Sequence, residues 1–152
     1  MINEDKSSIV TGPYELMQIT VDELACTFPA PMLVYIAGPY RSVGEEAVCE
    51  NVDHAKRVAI ACTRAGVYYY CPHMNTEGFS GDRVPDGERG HRGVIKGESF
   101  FLEMDKVILK RFDAILMTSI VPGDWKKSGG AVGELKQALD DGLLCCELVG
   151  EL

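Results

Sequence analysis

Residues 32–39 read Met-Leu-Val-Tyr-Ile-Ala-Gly-Pro and show the clearest strand pattern in the sequence. An uninterrupted apolar run, without the alternation of a half-exposed strand, predicts a strand that is buried on both faces and ends at the Gly-Pro pair. After a short loop, residues 45–65 carry apolar side chains at helical spacing. Gly66 is expected to cap this helix at its carboxyl end.

The rest of the chain continues the alternation of strand and helix. The further predicted elements are a strand from Val67 to Cys71, a helix from Ser99 to Phe112, a strand from Ala114 to Thr118, a helix from Gly130 to Asp140 and a strand from Leu143 to Val149. This order predicts an α/β fold with one doubly wound, Rossmann-like or flavodoxin-like parallel sheet of four to five strands flanked by helices. Ligands bind such sheets at the carboxyl ends of the strands, here the loops after Ala37, Cys71 and Thr118.

The length of 152 residues fits a single domain. Residues 1–31 are polar and interrupted by proline, and we interpret them as an N-terminal extension with at most one helix, around Tyr14 to Cys26. Residues 32–152 form the predicted domain. Residues 73–98 are glycine-rich and without periodicity, so they are disordered or, as we favour, a lid over a site.

Charge and composition exclude several classes of partner. The net charge of −8 argues against a nucleic-acid polymer, although a single phosphate needs only a few local donors. There is no apolar run of about 18 residues and no signal-peptide pattern, which predicts a cytoplasmic protein without a membrane partner. The six cysteines contain no C-x-x-C pair and are expected to be buried, reduced thiols. No spacing favours a metal or another cofactor, and the motifs of dinucleotide and ATP loops are absent from the sequence.

Two carboxylates occupy apolar helix faces. Asp105 lies on a stripe with Phe101 and Leu109, and Glu134 lies between Ala131 and Ala138. A buried ion pair or a capping role would explain one such acid, but two on facing helices favour chemistry. Glu134 is expected in the first turn of its helix, where the dipole stabilises the charged form. An ionised, poorly solvated carboxylate suits attack on an anomeric carbon, while a second acid handles protons.

Three loops supply the other candidates. Arg41 and Ser42, in the loop that contains Gly38, offer a guanidinium group and a hydroxyl group. Ser128 opens the last helix ahead of Gly129 and Gly130, as an N-cap or as part of a phosphate site. His73 follows the second strand and is either a loop histidine with satisfied hydrogen bonds or a reader of substrate. Trp125 is interpreted as the aromatic anchor of a surface loop rather than a platform for a base.

Four segments together resemble a known family. They are V-Y-I-A-G-P-Y-R-S at 34–42, P-H at 72–73, E-M-D-x-x-x-L-x-x-x-D-A-I-L-M at 103–117 and S-G-G-A-V-G-E-L-x-x-A at 128–138. In this order they resemble the nucleoside 2-deoxyribosyltransferase superfamily. The likeness is closest to the nucleoside 5′-monophosphate N-glycosidases and small phage or bacterial relatives, and it spans about residues 33–149.

The resemblance implies roles for the site residues. Glu134 matches the nucleophile, Asp105 the acid that assists departure of the base, and Tyr35 the tyrosine that orients the nucleophile. Gly38, Arg41 and Ser42 match a first loop that helps to hold phosphate, and His73 resembles a histidine near the base. Transferases of free nucleosides tend to have an acid at the position of Ser128, whereas the monophosphate hydrolases have serine, which can donate to phosphate.

The resemblance implies hydrolysis of the N-glycosidic bond of a nucleoside 5′-monophosphate, giving free base and sugar 5-phosphate through a glutamyl glycosyl-enzyme. Base exchange by a nucleoside 2-deoxyribosyltransferase and nucleotide binding without turnover are the alternatives. Members of the family commonly form dimers or higher oligomers, so a homo-oligomer is expected here.

Overall fold

The computed structural model describes residues 15–40, 45–76 and 98–152, and it has one parallel sheet of five strands. The strands are β1 (Met17–Ile19), β2 (Leu33–Ala37), β3 (Tyr68–Tyr70), β4 (Ala114–Met117) and β5 (Leu144–Leu148), in the spatial order β1-β5-β4-β2-β3. The helices are α1 (Leu24–Thr27), α2 (Glu45–Ala65), α3 (Pro72–Thr76), α4 (Glu98–Leu109) and α5 (Gly129–Asp140). Short 3-10 helices lie at Val21–Glu23 and Asp124–Lys127.

Alternate residues of each strand face two different helical layers. In β2, Val34 and Ile36 pack in a core with α1 and α2, whereas Tyr35 and Ala37 pack in a second core with α4 and α5. Both faces of the sheet are therefore covered, which explains why the central strands are continuously apolar. The predicted doubly wound α/β fold is confirmed.

The order of the strands places a crevice at the ends of β2 and β4. These two strands are neighbours, but the chain leaves β2 toward β3 on one side and reaches β5 from β4 on the other. Such a reversal of strand order opens a crevice at the carboxyl ends, where ligands bind in sheets of this kind. The loops that follow β2, β3 and β4 all border this edge.

The segment before residue 31 differs from its predicted state. Where the sequence predicted at most one helix, β1 forms a parallel edge strand beside β5, with Gln18 opposite Glu147. Leu24 and Phe28 are fully buried in the core that contains α1 and α2. The described part of the predicted extension therefore belongs to the sheet and its core, because a three-residue strand is held by tertiary pairing and leaves no periodic pattern.

Other elements agree closely with prediction. The helix at 45–65 has the predicted bounds, and α4 ends at Leu109, short of the predicted Phe112. The predicted lid at 73–98 begins with the last residues of α3, and its residues 77–97 lie outside the described ranges. Of the six thiols, Cys62, Cys71 and Cys146 are buried as expected, whereas Cys26 is exposed and two are partly buried. In the described ranges, no helix has the length and apolar character needed to cross a membrane.

Candidate active site

A cavity of about 280 Å³ lies at the carboxyl edge of the sheet, on the side of α4 and α5. Seven of the residues singled out from the sequence line it: Gly38, His73, Asp105, Ser128, Gly129, Gly130 and Glu134. Tyr35 lies beneath it and contacts Glu134. Arg41 and Ser42 lie outside the described residues. The structure therefore brings together residues that are up to about a hundred positions apart in the chain.

Glu134 projects from α5 toward the end of β2. The hydroxyl of Tyr35, which is fully buried, donates to its Oε2 at 2.6 Å. Burial raises the pKa of Glu134 to about 8; the hydrogen bond from Tyr35 opposes this rise, and the negative charge of Asp105 adds to it. Tyr35 thus holds one carboxylate oxygen and leaves Oε1 toward the cavity.

The predicted effect of the helix dipole on Glu134 is wrong. Because α5 begins at Gly129, Glu134 lies beyond its first turn, where the favourable field of the N-terminus has faded. The pKa of Glu134 is raised by burial rather than lowered by the helix end. The prediction depended on a helix start one residue later and on how far the dipole reaches.

The N-terminus of α5 opens onto the cavity. Ser128 is its N-cap, as one of the two interpretations held, and its Oγ accepts from the amide of Ala131 at 3.2 Å. A hydroxyl that accepts one hydrogen bond can still donate its own proton. Gly129 and Gly130 line the cavity, their first-turn amides have no acceptor within the helix, and a Cβ at either position would meet open space. These groups can hold an anion.

Asp105 lies on α4 and is only 5% exposed. The hydroxyl of Tyr70, on β3, donates to its Oδ1 at 3.3 Å. Burial raises the pKa of Asp105 to about 6, and the hydrogen bond from Tyr70 opposes the rise. Both predicted acids thus face one cavity, each with a tyrosine behind it.

Tyr70 is a residue that the sequence did not single out. It lies directly opposite Tyr35 in the register of β2 and β3, and the two rings are 5.7 Å apart. Phe112 packs against both rings, at 5.9 and 6.1 Å between centroids. Burial, with the nearby carboxylates, raises the pKa of both phenols well above the usual range, so each stays a hydrogen-bond donor. The available signal was the alternation within the Tyr68–Tyr70 strand, which places Tyr70 on the same side as Tyr35 once β2 and β3 are paired.

His73 is buried in α3 and lines the cavity. Its Nε2 lies 2.8 Å from the carbonyl oxygen of Pro39, which only accepts, so Nε2 carries the proton. Burial lowers the pKa of His73, which favours the neutral ring and makes Nδ1 an acceptor. Among the described residues Nδ1 has no hydrogen-bond partner. Neither interpretation of His73 is complete, because one nitrogen is satisfied and the other is not.

Gly38 lets the ends of β2 and β4 meet. A Cβ at this position would overlap the carbonyl oxygen of Thr118, which follows β4. The amide of Thr118 in turn donates to the carbonyl of Ala37 at 2.9 Å. Glycine is therefore required here by close packing of the two strand ends beside the cavity.

Trp125 anchors the loop that leads into α5. Its side chain is fully buried and its Nε1 donates to Oε2 of Glu147 at 2.9 Å. The interpretation as an anchor is confirmed, and the buried ring has no face for a base. The neighbouring Lys127 reaches the rim of the cavity and forms an exposed ion pair with Asp124 at 3.4 Å.

A second, larger and more open cavity of about 790 Å³ lies on the other side of the same sheet edge. Its acidic residues Glu50, Asp53 and Glu151 are exposed, and His54 is occupied by a contact of 2.8 Å with the hydroxyl of Thr118. Within the described ranges no group of His, Cys, Asp and Glu could hold a metal ion. Buried acids next to helix amides distinguish the smaller cavity as the candidate site.

Comparison with protein-family models and with curated proteins found no match to this chain.

Proposed function

We propose that the protein hydrolyses the N-glycosidic bond of a nucleoside 5′-monophosphate, giving free base and sugar 5-phosphate. One observation carries the proposal: a tyrosine-held glutamate and a second buried acid share a cavity with the open N-terminus of α5. The first two supply the chemistry of glycoside cleavage, and the third supplies a site for one phosphate. The resemblance to the nucleoside 2-deoxyribosyltransferase superfamily assigns the same residues to the same roles.

The reaction needs two steps. Oε1 of Glu134 attacks the anomeric carbon, the bond to the base breaks, and its electron pair leaves with the base, which takes a proton from Asp105. Water then attacks the anomeric carbon, gives its proton to the Asp105 carboxylate and releases Glu134 as a carboxylate. Two displacements at one carbon retain its configuration.

The protonation of Glu134 and Asp105 differs between the empty site and the proposed reaction. Burial raises the pKa of both acids, and that of Glu134 further than that of Asp105, which favours the shared proton on Glu134. The proposed reaction needs the opposite arrangement, with Glu134 ionised and Asp105 protonated. A sugar hydroxyl that donates to Glu134 would favour its ionised form and move the proton to Asp105.

The anion site supports a monophosphate. The hydroxyl of Ser128 and the amides of Gly129 and Gly130 can all donate to phosphate, with Lys127 at the rim. The resemblance also assigns Arg41 and Ser42, which lie outside the described residues, to the phosphate. The net charge of −8 and a cavity of about 280 Å³ favour a monomeric nucleotide over a polymer.

We also infer that the protein acts in the cytoplasm as a homodimer or higher homo-oligomer. The described part of α4 exposes the apolar side chains of Phe100 and Val107, which a second subunit could cover. Sedimentation velocity would test this, with a monomer at all concentrations as the contrary result.

The direct test is a panel of ribo- and deoxyribonucleoside monophosphates, both standard and 5-modified, with chromatography for free base. We expect base release from at least one monophosphate, at least about tenfold faster than from the matching nucleoside. No base from any of them would contradict the proposal. If a free deoxynucleoside with a second base gives exchange instead, the protein is a transferase. Tight nucleotide binding without base release, unaffected by Glu134→Gln, would indicate a binding protein.

A further inference from the structure

Two tyrosines on neighbouring strands each hold one of the two acids. Tyr35 and Tyr70 are register partners in β2 and β3, and their side chains point to the same layer of helices. The first donates to Glu134 of α5 at 2.6 Å, and the second donates to Asp105 of α4 at 3.3 Å. The two carboxylates therefore have separate donors although they share one cavity.

Tyr70 is itself oriented by a third residue. A side-chain hydrogen bond with Asn75, in α3, lowers the pKa of Tyr70. That oxygen uses its own proton for Oδ1 of Asp105. A chain of hydrogen bonds thus runs from the exposed Asn75 through Tyr70 to the acid, and each bond polarises the next.

We propose that Tyr70 is a positioning residue for Asp105: its hydroxyl engages Oδ1, leaves Oδ2 to exchange the proton with the substrate, and stabilises the ionised carboxylate in the empty site. The claim about exchange with substrate rests on the proposed function, whereas the effect on Asp105 in the empty site does not. Tyr70 does not line the cavity, so it acts through Asp105 and does not touch the ligand.

The other ionisable groups around Asp105 come from four directions. In the described part of the chain they are Tyr35 of β2 with Tyr40 of the loop after it, His73 of α3, Glu134 of α5 and the rim residue Lys127. Glu134 opposes ionisation of Asp105 whenever it is itself charged. Tyr70 is the group with a hydrogen bond to Asp105, so removal of its hydroxyl must change the titration of this acid first.

The test compares Tyr70→Phe with Tyr35→Phe in ligand-free protein, by ¹³C NMR titration of the side-chain carboxyls. A lost donor disfavours the ionised form, so Tyr70→Phe is expected to raise the midpoint of Asp105 by about 0.5–1 unit, with a smaller change at Glu134. Tyr35→Phe is expected to raise the midpoint of Glu134, with a smaller change at Asp105. An unchanged Asp105 midpoint, or equal shifts of both acids in Tyr70→Phe, would overturn the proposal.

Asn75→Ala provides a variant that leaves the core intact. Its side chain is exposed, so the fold does not depend on it. Loss of its hydrogen bond weakens Tyr70 as a donor, and the Asp105 midpoint should rise by about 0.2–0.5 unit. If Tyr70→Phe fails to fold, this variant decides the matter, and no shift would count against the proposal.

Turnover gives an independent measure. In base release, Tyr70→Phe should move the acidic limb of the kcat/KM profile, near pH 6, upward and leave the basic limb near pH 8, whereas Tyr35→Phe should move the basic limb. A purely structural role would lower the profile without moving either limb. If the protein releases no base at all, the NMR titration still decides the role of Tyr70, so the two proposals can fail separately.

Discussion

Glu134 and Glu147 lie on the same side of the sheet, between it and the layer of α4 and α5, and both accept a hydrogen bond from an aromatic side chain, yet their surroundings differ. Glu147 is 7% exposed and has donors on both oxygens, Nε1 of Trp125 at 2.9 Å and Nε2 of Gln18 at 3.5 Å. Glu134 accepts from Tyr35 on one oxygen and lines the cavity. Glu147 lines neither of the two cavities.

The difference separates a structural acid from the acid to which we assign chemistry. A buried carboxylate costs several kcal/mol unless donors compensate for the lost water, and Glu147 has such donors on both sides. Glu134 keeps one oxygen toward the cavity, so in the empty site a proton offsets the cost of burial, and its ionised form needs a donor from a ligand. We expect substitutions at Glu134 to change chemistry and substitutions at Glu147 to change stability.

The largest expected effect is the loss of base release in Glu134→Gln. The amide cannot attack the anomeric carbon, but it still accepts from Tyr35, so the rate should fall by at least about 10⁴-fold while the fold survives. The matched control is Glu147→Gln, which should stay within about threefold of wild type. Single-turnover chromatography measures the rate of base release, and circular dichroism measures whether the fold is retained. Base release at a near wild-type rate in Glu134→Gln would contradict the proposed mechanism.

Asp105→Asn should have the next largest effect, about 10²–10⁴-fold on base release, because the departing base loses its proton donor. The loss should depend on the leaving group. A nucleotide of 5-fluorouracil, whose base departs more readily as an anion, should lose less than the matching uracil nucleotide. Equal losses for the two substrates would show that Asp105 does not protonate the base.

The sequence alone predicts both acids of the cavity, but only one of the two tyrosines that hold them. Asp105 and Glu134 stand out because helical spacing puts them on apolar faces. Tyr35 was predicted as a site residue from the family resemblance. Tyr70 requires the register of two strands, since alternation alone does not say which side of β3 faces the site. Local patterns therefore find the acids, and pairing between distant strands finds the residues that hold them.

The structural acid illustrates the same limit. Glu147 is bonded to Trp125 in a loop and to Gln18 in β1, which are 22 and 129 positions away. No spacing links such residues, and β1 is too short to be recognised. The sheet and its main helices follow from periodicity, because their apolar runs are long enough to register it.

Glu147→Ala should lower the free energy of unfolding by about 1–3 kcal/mol, because the buried Nε1 of Trp125 is left without its acceptor. Glu147→Gln keeps an acceptor at that position and should lose less. Glu134→Gln should leave stability at neutral pH within about 1 kcal/mol of wild type. Urea unfolding of the three variants measures the difference. An equal loss in Glu134→Gln and Glu147→Ala would remove the distinction between the two acids.

The smallest effect is the contribution of the two cavity acids to the dependence of stability on pH. Folding raises the pKa of Glu134 from 4.5 to about 8 and that of Asp105 from 3.8 to about 6, so the folded state holds protons that the unfolded state has lost. This contribution is fully present below about pH 4 and is lost as pH rises to about 8. Because both acids border the open cavity, we expect a fall of only about 1–2 kcal/mol over this window. In Glu134→Gln, urea unfolding at pH 5, 6.5 and 8 should show a flatter profile of stability between pH 6.5 and 8 than in the wild type. An unchanged slope in Glu134→Gln would mean that Glu134 does not hold the proton of the empty site, and the contrast with Glu147 would then rest on cavity geometry alone.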